Sequence, residues 1–502
     1  MQLHDLLADL AGFDGAGVLE LRSGAGTGAG AATPVEITAV VHDSRDARPG
    51  ALFCCIPGQI TDGHLYAAAA VAAGAVALLV EEWVPVDVPQ ARVASVRSVL
   101  GPLAARFHGE PSFAMRVLGV TGTNGKTTTT YLLESIAHAA GEVVGVIGTV
   151  GARVGDRALP NAHTTPEATE LQSVLAEMRD TGVETVAMEV SSHALDQHRV
   201  DATNFAATCF TNLSHDHLDY HVSVEAYFEA KARLFSPEFT HRAAIHVGDA
   251  HGERLARRSA ARGLVVSRFA VDDPTAHVNA RRVALSPTGT TFDLVACNGE
   301  PVPVRTPLVG SFNVVNALGA AATALLAGFE LEAIVAGLGR PAVVPGRMER
   351  IDAGQDFTVL VDYAHTPAAL DAALGAARDL VAPGGRLIAV FGCGGDRDRA
   401  KRPLMGQIAA RRADHSYVTT DNPRTEDPVA IVDEILAGVP DRSRVDRVTD
   451  RREAIRDALA AARPGDVVIV AGKGHEREQI VGARAEPFDD RVVAREELET
   501  LS

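Results

Sequence analysis

Residues 119–128 combine the backbone and side-chain types that bind phosphate. The run reads Gly119-Val120-Thr121-Gly122-Thr123-Asn124-Gly125-Lys126-Thr127-Thr128. The amides of such a loop and the N-terminus of a following helix present donors and partial positive charge to an anion. Lys126 adds a full charge, and the Thr127 hydroxyl can ligate magnesium. The pattern predicts a nucleoside triphosphate site made by Gly122, Thr123, Asn124, Gly125, Lys126, Thr127 and Thr128.

The elements on either side of this loop support that interpretation. An apolar run from Met115 to Val120 predicts a buried strand, and an amphipathic segment from Thr127 to Ala140 predicts a helix. The spacing departs from the common P-loop pattern, because Val120 stands where the first glycine is expected and the glycine is residue 119. The alternative is a chance Gly-Lys-Thr in a surface turn, which would not require the flanking strand and helix.

Two further predicted strands end in polar clusters. Strand Thr185–Val190 carries Glu189 and leads into Ser191-Ser192-His193, and strand Ala206–Thr211 leads into residues 212–221. Ligands of open α/β sheets collect beyond the carboxyl ends of the strands. Both clusters should therefore face the same crevice as the phosphate loop.

A triphosphate site also needs hard oxygen ligands for magnesium beyond the loop threonine. Glu189 and the cluster around His217 are the nearest candidates, although His is an unusual ligand for this ion. The alternative for Glu189 is a carboxylate under a helix N-terminus. His215 and His221 are interpreted as satisfied polar residues at a strand end.

The whole chain has the composition of a multidomain globular protein. Its 502 residues are too many for one core, and its 46% apolar and 22% charged residues are ordinary. A formal charge of −17 argues against a nucleic-acid partner. Five cysteines, mostly in apolar runs and without metal spacing, indicate reduced, buried thiols in a cytoplasmic protein. The start lacks a signal-peptide pattern, and the longest apolar stretch is too short for membrane insertion.

Alternating strands and helices predict an α/β protein of three domains. Residues 1–108 form a small N-terminal α/β domain, residues 109–343 a central P-loop domain with a mostly parallel sheet, and residues 344–502 a C-terminal Rossmann-like domain. The first domain is predicted to contain a strand over Val35–Val41 and a helix over Leu65–Ala73.

Both smaller domains carry polar loops. In the first, Asp43-Ser44-Arg45 could line a pocket, and a turn with a helix N-cap explains it equally well. In the third, polar loops follow four predicted strands, at residues 362–367, 392–399, 421–424 and 472–476.

In order and spacing these motifs resemble the Mur ligase family. The resemblance covers nearly the whole chain, and the unusual glycine spacing of the phosphate loop is the form that this family uses. The segments that carry it are Gly119–Thr128, Glu189–His193, Asp216–Asp219, Ala230-Lys231, Gly310–Asn316, Arg347, Asp362 and Asp421–Arg424.

The resemblance implies three domains that bind, in chain order, the UDP part of a substrate, ATP and an amino acid. It implies an ADP-forming amide ligase of peptidoglycan precursor synthesis, which adds diaminopimelate to the D-glutamate of UDP-N-acetylmuramoyl-L-Ala-D-Glu through an acyl phosphate. The cofactors implied are two Mg²⁺ ions, with ATP as co-substrate. The partners are these small molecules, and the protein is expected to be a monomer. Linkers near residues 109 and 343 would be the hinges that bring the ATP and amine sites together.

The resemblance also assigns roles to individual residues, and the catalytic ones are Lys126, Glu189, His217 and Lys231. Thr127 and Glu189 match magnesium ligands, and His217 matches a ligand of the second ion. Lys231 matches a carbamylated lysine (N6-carboxylysine), because a neutral amine can capture carbon dioxide and become an oxygen ligand. From the sequence alone, Lys231 inside the predicted helix Val224–Leu234 would be a surface or snorkelling lysine, and only the resemblance reverses that expectation.

Contacts to the two nucleotide-containing substrates carry over in the same way. For ATP, Asn316 matches an adenine contact, and Arg347 and Asp362 match phosphate and ribose contacts. Phe312 and Asn313 could equally be helix-start residues. The residues that match contacts to the UDP-muramoyl-dipeptide are Ser44, Thr164, Thr165, Ser191, Gln197 and Arg199.

The resemblance assigns selection of the amino-acid substrate to residues Asp421-Asn422-Pro423-Arg424. Diaminopimelate ends in a second amino-acid centre, so its site needs a carboxylate clamp and an ammonium acceptor. Arg424 can bind a carboxylate through two parallel bonds, and a lysine substrate would leave that guanidinium unpaired. The alternative is an ordinary Asp-Asn-Pro turn. The full set of implied contacts is Arg397, Asp421, Asn422, Arg424, Gly472 and Glu476.

Two other functions fit part of the sequence. Folylpolyglutamate synthetase shares the phosphate loop and the metal chemistry but explains neither residues 421–424 nor the additional first domain. A GTPase-like switch or nucleotide-gated module would carry a guanine-reading Asn-Lys-x-Asp run, which does not occur in this sequence.

Overall fold

Three sheets organise the chain, each between its own hydrophobic clusters. The structure is a computed structural model that describes residues 1–502 except 9–17, 23–33, 59–60, 160–162, 215, 287, 298, 341–342 and 502. The predicted fold class, an α/β protein of three domains with a mostly parallel central sheet, is confirmed.

The first unit is a small sheet with helices on both faces. Its elements are β1 (Val18–Arg22), β2 (Ala39–Val41), β3 (Ala51–Cys54), β4 (Ala75–Val80), β5 (Gln90–Val93), α1 (Leu3–Ala8), α2 (Ala67–Ala72) and α3 (Val96–Phe107). Within the described residues the strand order is β1-β5-β4-β3-β2, with β1 antiparallel to β5 and the other pairs parallel.

Two predicted elements of this unit are shorter than expected. The predicted strand Val35–Val41 is wrong before Ala39, because Glu36 makes only an isolated bridge with Gln2 and the ladder to β3 begins at Ala39. The predicted helix Leu65–Ala73 is divided. The Asp62 side chain accepts a hydrogen bond from the His64 amide and caps a 3₁₀ turn, so α2 begins only after that turn.

The central unit holds the phosphate loop. Its strands are β6 (Arg116–Thr121), β7 (Val144–Gly148), β8 (Gly151–Val154), β9 (Arg157–Leu159), β10 (Thr185–Glu189), β11 (Ala207–Phe210), β12 (Arg242–His246), β13 (Val265–Val271), β14 (Val278–Ser286), β15 (Gly289–Ala296) and β16 (Val302–Thr306). Its helices are α4 (Lys126–Ala139), α5 (Ala168–Asp180), α6 (Ser192–Asp196), α7 (Leu218–His221), α8 (Val224–Ala232), α9 (Ala250–Ala261), α10 (Ser311–Leu326) and α11 (Leu331–Leu338).

The central sheet is parallel in its middle and antiparallel at both edges. Among the described residues its order is β16-β15-β14-β13-β12-β11-β6-β10-β7-β8-β9, and the strands from β14 to β7 are parallel. Successive residues of β6 face opposite cores, because Val117 packs in the cluster of α5 and Leu118 in the cluster of α4. This alternation gives helices on both faces, as predicted.

The third unit repeats the parallel arrangement. Its elements are β17 (Glu349–Ile351), β18 (Thr358–Asp362), β19 (Leu387–Phe391), β20 (His415–Val418), β21 (Val445–Arg447), β22 (Val467–Ala471), β23 (Glu478–Val481), β24 (Arg484–Pro487), α12 (Pro367–Arg378), α13 (Lys401–Arg412), α14 (Pro428–Leu436), α15 (Arg451–Ala461) and α16 (Asp490–Leu501). In the described chain the sheet order is β17-β18-β22-β19-β20-β21, with only β17 antiparallel, and β23 and β24 pair separately.

Two general expectations can be compared with these elements. Four of the cysteines are buried free thiols, as predicted, whereas Cys297 is exposed. No helix in the described part of the chain has both the length and the apolar character needed to cross a membrane.

Candidate active site

A cavity of about 640 Å³ lies between the central and third units, at the carboxyl ends of β6, β10 and β18. Residues 123–128 of the predicted phosphate loop line it. Gly122 lies behind them, where a Cβ atom would come within 1.9 Å of Thr211 Oγ1. The predicted nucleotide residues Asn316, Arg347 and Asp362 line the same cavity.

The phosphate loop is held open by the residues that follow β11. The Asn212 carbonyl accepts from the Thr123 amide at 2.9 Å, and Asn212 Oδ1 accepts from the Asn124 amide at 3.0 Å. Gly125 has φ 86° directly before α4, and a Cβ there would lie 2.2 Å from Asn316 Oδ1. A side chain at residue 125 is therefore excluded, and the first turn of α4 faces the cavity.

Two lysines donate to one carbonyl of the loop. Lys126 Nζ donates to Gly122 O at 2.9 Å, and Lys231 Nζ donates to the same oxygen at 2.8 Å. The surface position that the sequence alone favours for Lys231 is wrong, since this residue is only 1% exposed. Helix α8 turns Tyr227 and Lys231 inward together, with Nζ 4.4 Å from the ring centroid. Burial, then the charge of Lys126, lowers the pKa of Lys231 well below its usual range.

Glu189 accepts hydrogen bonds from two threonine hydroxyls. Thr127 Oγ1 donates to Oε2 at 3.1 Å, Thr149 Oγ1 donates to Oε2 at 3.0 Å, and the Thr149 amide donates to Oε1 at 2.9 Å. Glu189 is 1% exposed, so this is a buried cluster of hard oxygen atoms beside α4. Sequence reasoning missed Thr149, which directly follows β7 at the same sheet edge and could have been found from that position.

His217 directly precedes α7 and has a left-handed conformation, with φ 53°. Its ring meets the ring of His193 edge-on at 4.9 Å, and Nε2 lies 3.6 Å from Asp216 Oδ2. Burial lowers the pKa of His217 to about 4. His221 is bonded to Ser192 Oγ at 2.9 Å, which confirms its interpretation as a satisfied polar residue; His215 lies outside the described residues.

The third unit contributes a wall across from the loop. The Arg347 guanidinium lies 4.5 Å from the ring centroid of Tyr363, and Nη2 donates to Thr127 Oγ1 at 3.3 Å. Asp362 accepts from the backbone amides of Met348 at 2.7 Å and Ala364 at 2.9 Å. Burial raises the pKa of Asp362.

The predicted muramoyl contacts are divided among three cavities. Thr164, Thr165, Ser191 and Arg199 line the first cavity. Gln197 lines a second cavity, and Ser44 lines a third one of about 470 Å³ on the first unit.

Ion pairs connect the third cavity to the first. Glu167 lines the third cavity and pairs with Arg199, a lining residue of the first, at 3.1 Å. The other oxygen of Glu167 pairs with Arg97 at 3.5 Å. The two cavities are thus joined by a path of charged side chains.

The second cavity, of about 610 Å³, contains the complete predicted amino-acid set. That set is Arg397, Asp421, Asn422, Arg424, Gly472 and Glu476. The second cavity also shares wall residues with the first, namely His193, Asp216, His217, Tyr363 and His365. Sequence reasoning did not assign Tyr363 or His365 to the site, although both stand in the polar loop after β18.

Opposite charges face each other in this second cavity. Arg424 has φ 51°, and its Nη1 donates to Gly395 O at 2.7 Å. Burial, then the charge of Arg397, lowers the pKa of Arg424. Asn422 Nδ2 donates to Glu476 Oε2 at 2.8 Å, and Asp421 is buried beside them. A ligand that carries both a carboxylate and an ammonium would be complementary to this arrangement.

The candidate metal ligands of this site include hydroxyl oxygens as well as a carboxylate. Across the ranges that the structure describes, no group of three or more His, Cys, Asp or Glu side chains could hold a metal ion. The oxygen atoms that converge beside α4 come from Thr127, Thr149 and Glu189.

A phosphate loop joined through a shared wall to a cavity lined by opposite charges defines a nucleotide-dependent enzyme with an α/β fold. Three family models match this chain: "Mur ligase family, catalytic domain" over residues 36–108, "Mur ligase middle domain" over residues 120–324, and "Mur ligase, glutamate ligase domain" over residues 346–474. The chain belongs to the Mur ligase family, whose members are ATP-dependent ligases.

Known proteins resemble this chain over nearly its full length. UDP-N-acetylmuramoyl-L-alanyl-D-glutamate–2,6-diaminopimelate ligase of Geobacillus thermodenitrificans is 44% identical and covers 92% of this chain and 94% of its own. A solved structure of a ligase of that name has a TM-score of 0.67 at 36% identity, covering 93% and 95%. Folylpolyglutamate synthase of Mycobacterium tuberculosis, solved with ADP and AMPPCP, has a TM-score of 0.62 at 18% identity, covering 80% and 94%, and shows the fold alone.

Proposed function

We propose that this Mur ligase adds diaminopimelate to the D-glutamate of UDP-N-acetylmuramoyl-L-Ala-D-Glu, with ATP as co-substrate, in peptidoglycan precursor synthesis. The observation that carries the proposal is the wall shared by the phosphate-loop cavity and the cavity of mixed charge. The relatives that are named for this reaction support the choice of substrates. Residues 1–108, 109–343 and 344–502 would bind the UDP part, ATP and the amino acid, and one cytoplasmic chain would suffice as a monomer.

ATP is assigned to the first cavity. Residues 122–128 would cradle its phosphates, with Lys126 placing a positive charge at the β- and γ-phosphates. Asn316, which packs on the loop at Gly125, would contact the adenine. Arg347 and Asp362 from the third unit would contact phosphate and ribose, so the nucleotide would join the two units.

The side chains beside the loop fit magnesium. Thr127 and Glu189 offer the hard oxygen ligands that this ion prefers. His217 would offer a neutral ring nitrogen, since its pKa of about 4 leaves it uncharged near pH 7. Lys231 fits only as a carbamate (N6-carboxylysine), and its burial and lowered pKa favour the neutral amine that forms one. Two Mg²⁺ ions held there would offset the repulsion between the γ-phosphate and the substrate carboxylate.

The first chemical step is a phosphoryl transfer. An oxygen of the D-glutamate carboxylate attacks the γ-phosphorus, the bond from that phosphorus to ADP breaks, and an acyl phosphate forms. Thr164, Thr165, Ser191, Gln197 and Arg199 would hold the muramoyl dipeptide, and Ser44 its UDP end. Such a step depends on positioning and charge neutralisation, which Lys126 supplies on the nucleotide side.

The second step forms the amide. The neutral amine of diaminopimelate attacks the acyl carbon, the tetrahedral intermediate releases phosphate, and the nitrogen loses its proton. Arg424 and Arg397 would hold the carboxylate of the distal centre, and Asp421 and Glu476 would accept its ammonium. The reacting amine would then reach the first cavity across the shared wall.

Product analysis tests this function. The purified chain is incubated with Mg²⁺, ATP, UDP-N-acetylmuramoyl-L-Ala-D-Glu and one of several amino acids, including diaminopimelate and lysine. We expect a product of the tripeptide mass with diaminopimelate, and phosphate release only when all three substrates are present. The Lys126→Ala variant serves as the inactive control. Product formation from a folate substrate and glutamate instead would show folylpolyglutamate synthase activity and contradict the proposal.

A further inference from the structure

Lys473 is a fully buried lysine in the polar loop after β22, and the proposed mechanism gives it no role. Its side chain is 0% exposed. Nζ donates to Asn422 Oδ1 at 3.1 Å, to Glu476 Oε2 at 3.0 Å and to the Glu478 carbonyl at 2.7 Å. An ammonium group has three N–H donors, so these acceptors use all of them.

Two of these acceptors belong to the amino-acid cavity. Asn422 and Glu476 line that cavity, whereas Lys473 stands behind them. Asn422 Nδ2 also donates to Glu476 Oε2 at 2.8 Å, which closes a triangle of three side chains. The Ile480 amide donates to Asn422 Oδ1 at 3.0 Å and fixes the amide from the other side. The buried lysine therefore contributes a hydrogen bond to the orientation of each of the two lining residues.

Lys473 also sets the charge of the cavity wall. Its Nζ lies 4.0 Å from Asp421 Oδ1, so one ammonium stands between the carboxylates of Asp421 and Glu476. Within this group of three side chains, two negative charges and one positive charge leave one net negative charge. That remainder suits one ammonium group of a substrate, while without Lys473 the two carboxylates would lose the cation that stands between them, at a cost in desolvation.

We propose that Lys473 is a positioning residue for the amino-acid substrate, acting through Asn422 and Glu476. It orients the two side chains and reduces the charge of the acidic pair so that a single substrate ammonium is accepted. This inference rests on the proposed function, because it takes diaminopimelate as the ligand of the second cavity.

The test is the steady-state kinetics of Lys473→Met, which keeps the length of the side chain and removes the ammonium. We expect the KM for diaminopimelate to rise about tenfold or more, because a buried charge partner is lost. We expect kcat to fall by less than about threefold, since interactions of the bound amino acid are lost equally before and during the reaction. The KM values for ATP and the UDP-dipeptide should not change.

Arg386→Met is the matched control. Arg386 pairs with buried Asp466 at 2.7 Å in the same unit, before β19 and at the opposite sheet edge. We expect this variant to lower the melting temperature and to leave the KM for diaminopimelate unchanged. A similar KM increase in Arg386→Met, or an equal increase for all three substrates in Lys473→Met, would show a general structural effect and overturn the proposal.

The double variant Lys473→Met/Glu476→Gln removes both charges and decides the outcome even if Lys473→Met does not fold. If Lys473 acts through Glu476 and Asn422, the double variant should have a KM for diaminopimelate within about threefold of that of Glu476→Gln alone, because only the bond to Asn422 is then left to lose. A further tenfold increase over Glu476→Gln would overturn the proposal. A wild-type chain that does not couple diaminopimelate at all would refute the proposed function instead.

Discussion

Lys231 is the residue of the candidate site whose protonation state burial changes most directly. Its amine is enclosed between the phosphate loop and the Tyr227 ring and lies near the charge of Lys126, and each of burial and that charge favours the neutral form. A neutral amine in this place would react with carbon dioxide, and the resulting carbamate would bring an oxygen ligand to the cluster around Glu189.

We predict that Lys231→Arg lowers kcat about 100-fold or more, because an obligatory cation replaces a group that would carry negative charge. With ¹³C-bicarbonate, the wild-type chain should show a carbamate carbon resonance that is absent in this variant. Lys401→Met, which removes another lysine near the site, should keep the resonance. A wild-type chain without the resonance under turnover conditions would contradict the carbamate assignment.

In the proposed reaction, Arg424 selects the amino-acid substrate by binding its distal carboxylate. One of its nitrogen atoms is held by the Gly395 carbonyl, so the guanidinium is oriented at the cavity wall before a substrate binds. Loss of a bidentate ion pair in a partly buried site is expected to weaken substrate binding strongly.

We predict that Arg424→Ala raises the KM for diaminopimelate about 30-fold or more, with a smaller effect on kcat. The control is Arg399→Ala, which removes an exposed arginine of the same unit that is paired with Glu434. Its kinetics should match those of the wild type. Unchanged diaminopimelate kinetics in Arg424→Ala would refute the clamp.

At the scale of elements, the loop of residues 472–476 surrounds His475 so that the protonated form of its ring is disfavoured. Burial lowers the pKa of His475 to about 3, and among the described residues its Nδ1 has no hydrogen-bond partner. In the unfolded chain the His475 ring binds a proton below about pH 6.5. In the folded chain the same ring stays neutral as the pH falls to about 3. The stability from this ring is thus present above pH 6.5 and is lost as the pH falls.

We predict that protonation of this single ring in the unfolded chain lowers the free energy of unfolding by about 2 kcal/mol as the pH falls from 6.5 to 5. The slope is about 1.4 kcal/mol per pH unit. In His475→Gln, the melting temperature should fall less between pH 7.5 and pH 5 than in the wild type. His4→Gln, which changes an exposed histidine, should retain the wild-type pH dependence. Identical pH dependence in His475→Gln would contradict a buried neutral ring.

Element types followed from the sequence where periodicity was strong, as for β6, α4 and β22. The hairpins of β14–β16 and β23–β24 were not predicted, because pairing partners at a sheet edge are chosen by tertiary packing and not by local pattern. Helix periodicity could not show that Lys231 faces inward, since α8 buries Tyr227 and Lys231 on a face that composition would leave to solvent.

At the scale of the whole molecule, the linker that enters the third unit meets the loop after β22 at two glycines. Gly346 follows the linker to the third unit with φ 63°, and a Cβ on it would lie 2.1 Å from the Gly474 carbonyl carbon. Arg347 is the next residue and reaches Thr127 of the ATP cavity. The amino-acid loop and the ATP cavity are thus connected through one close backbone contact.

We predict that Gly346→Ala lowers kcat about tenfold or more, because the added methyl group must separate the linker from residues 472–476 and displace Arg347. Gly354→Ala is the control, since Gly354 also has a positive φ, of 94°, but has open space around its Cβ position. That variant should lose some stability through backbone strain and keep kcat. Equal kcat in both variants would show that the contact does not matter for turnover.

The grouping of residues from different units could be expected from the sequence only through the family resemblance. Strand-end positions predicted that Glu189 and residues 212–221 face the phosphate loop. No local pattern could place Arg424 and Tyr363 on cavities that share a wall with the central unit, because that depends on how the two units pack. The contact of Lys473 with Asn422 was not predicted for the same reason, since these two residues belong to distant segments of the chain.

The wall shared by the two main cavities also bears on the number of ATP molecules consumed for each amide bond formed. In the proposed reaction, an acyl phosphate made on one side of His217 and Tyr363 would already face the amine held on the other side. Capture by the amine then competes well with hydrolysis, so each ADP released should accompany one new amide bond even when the amine is scarce.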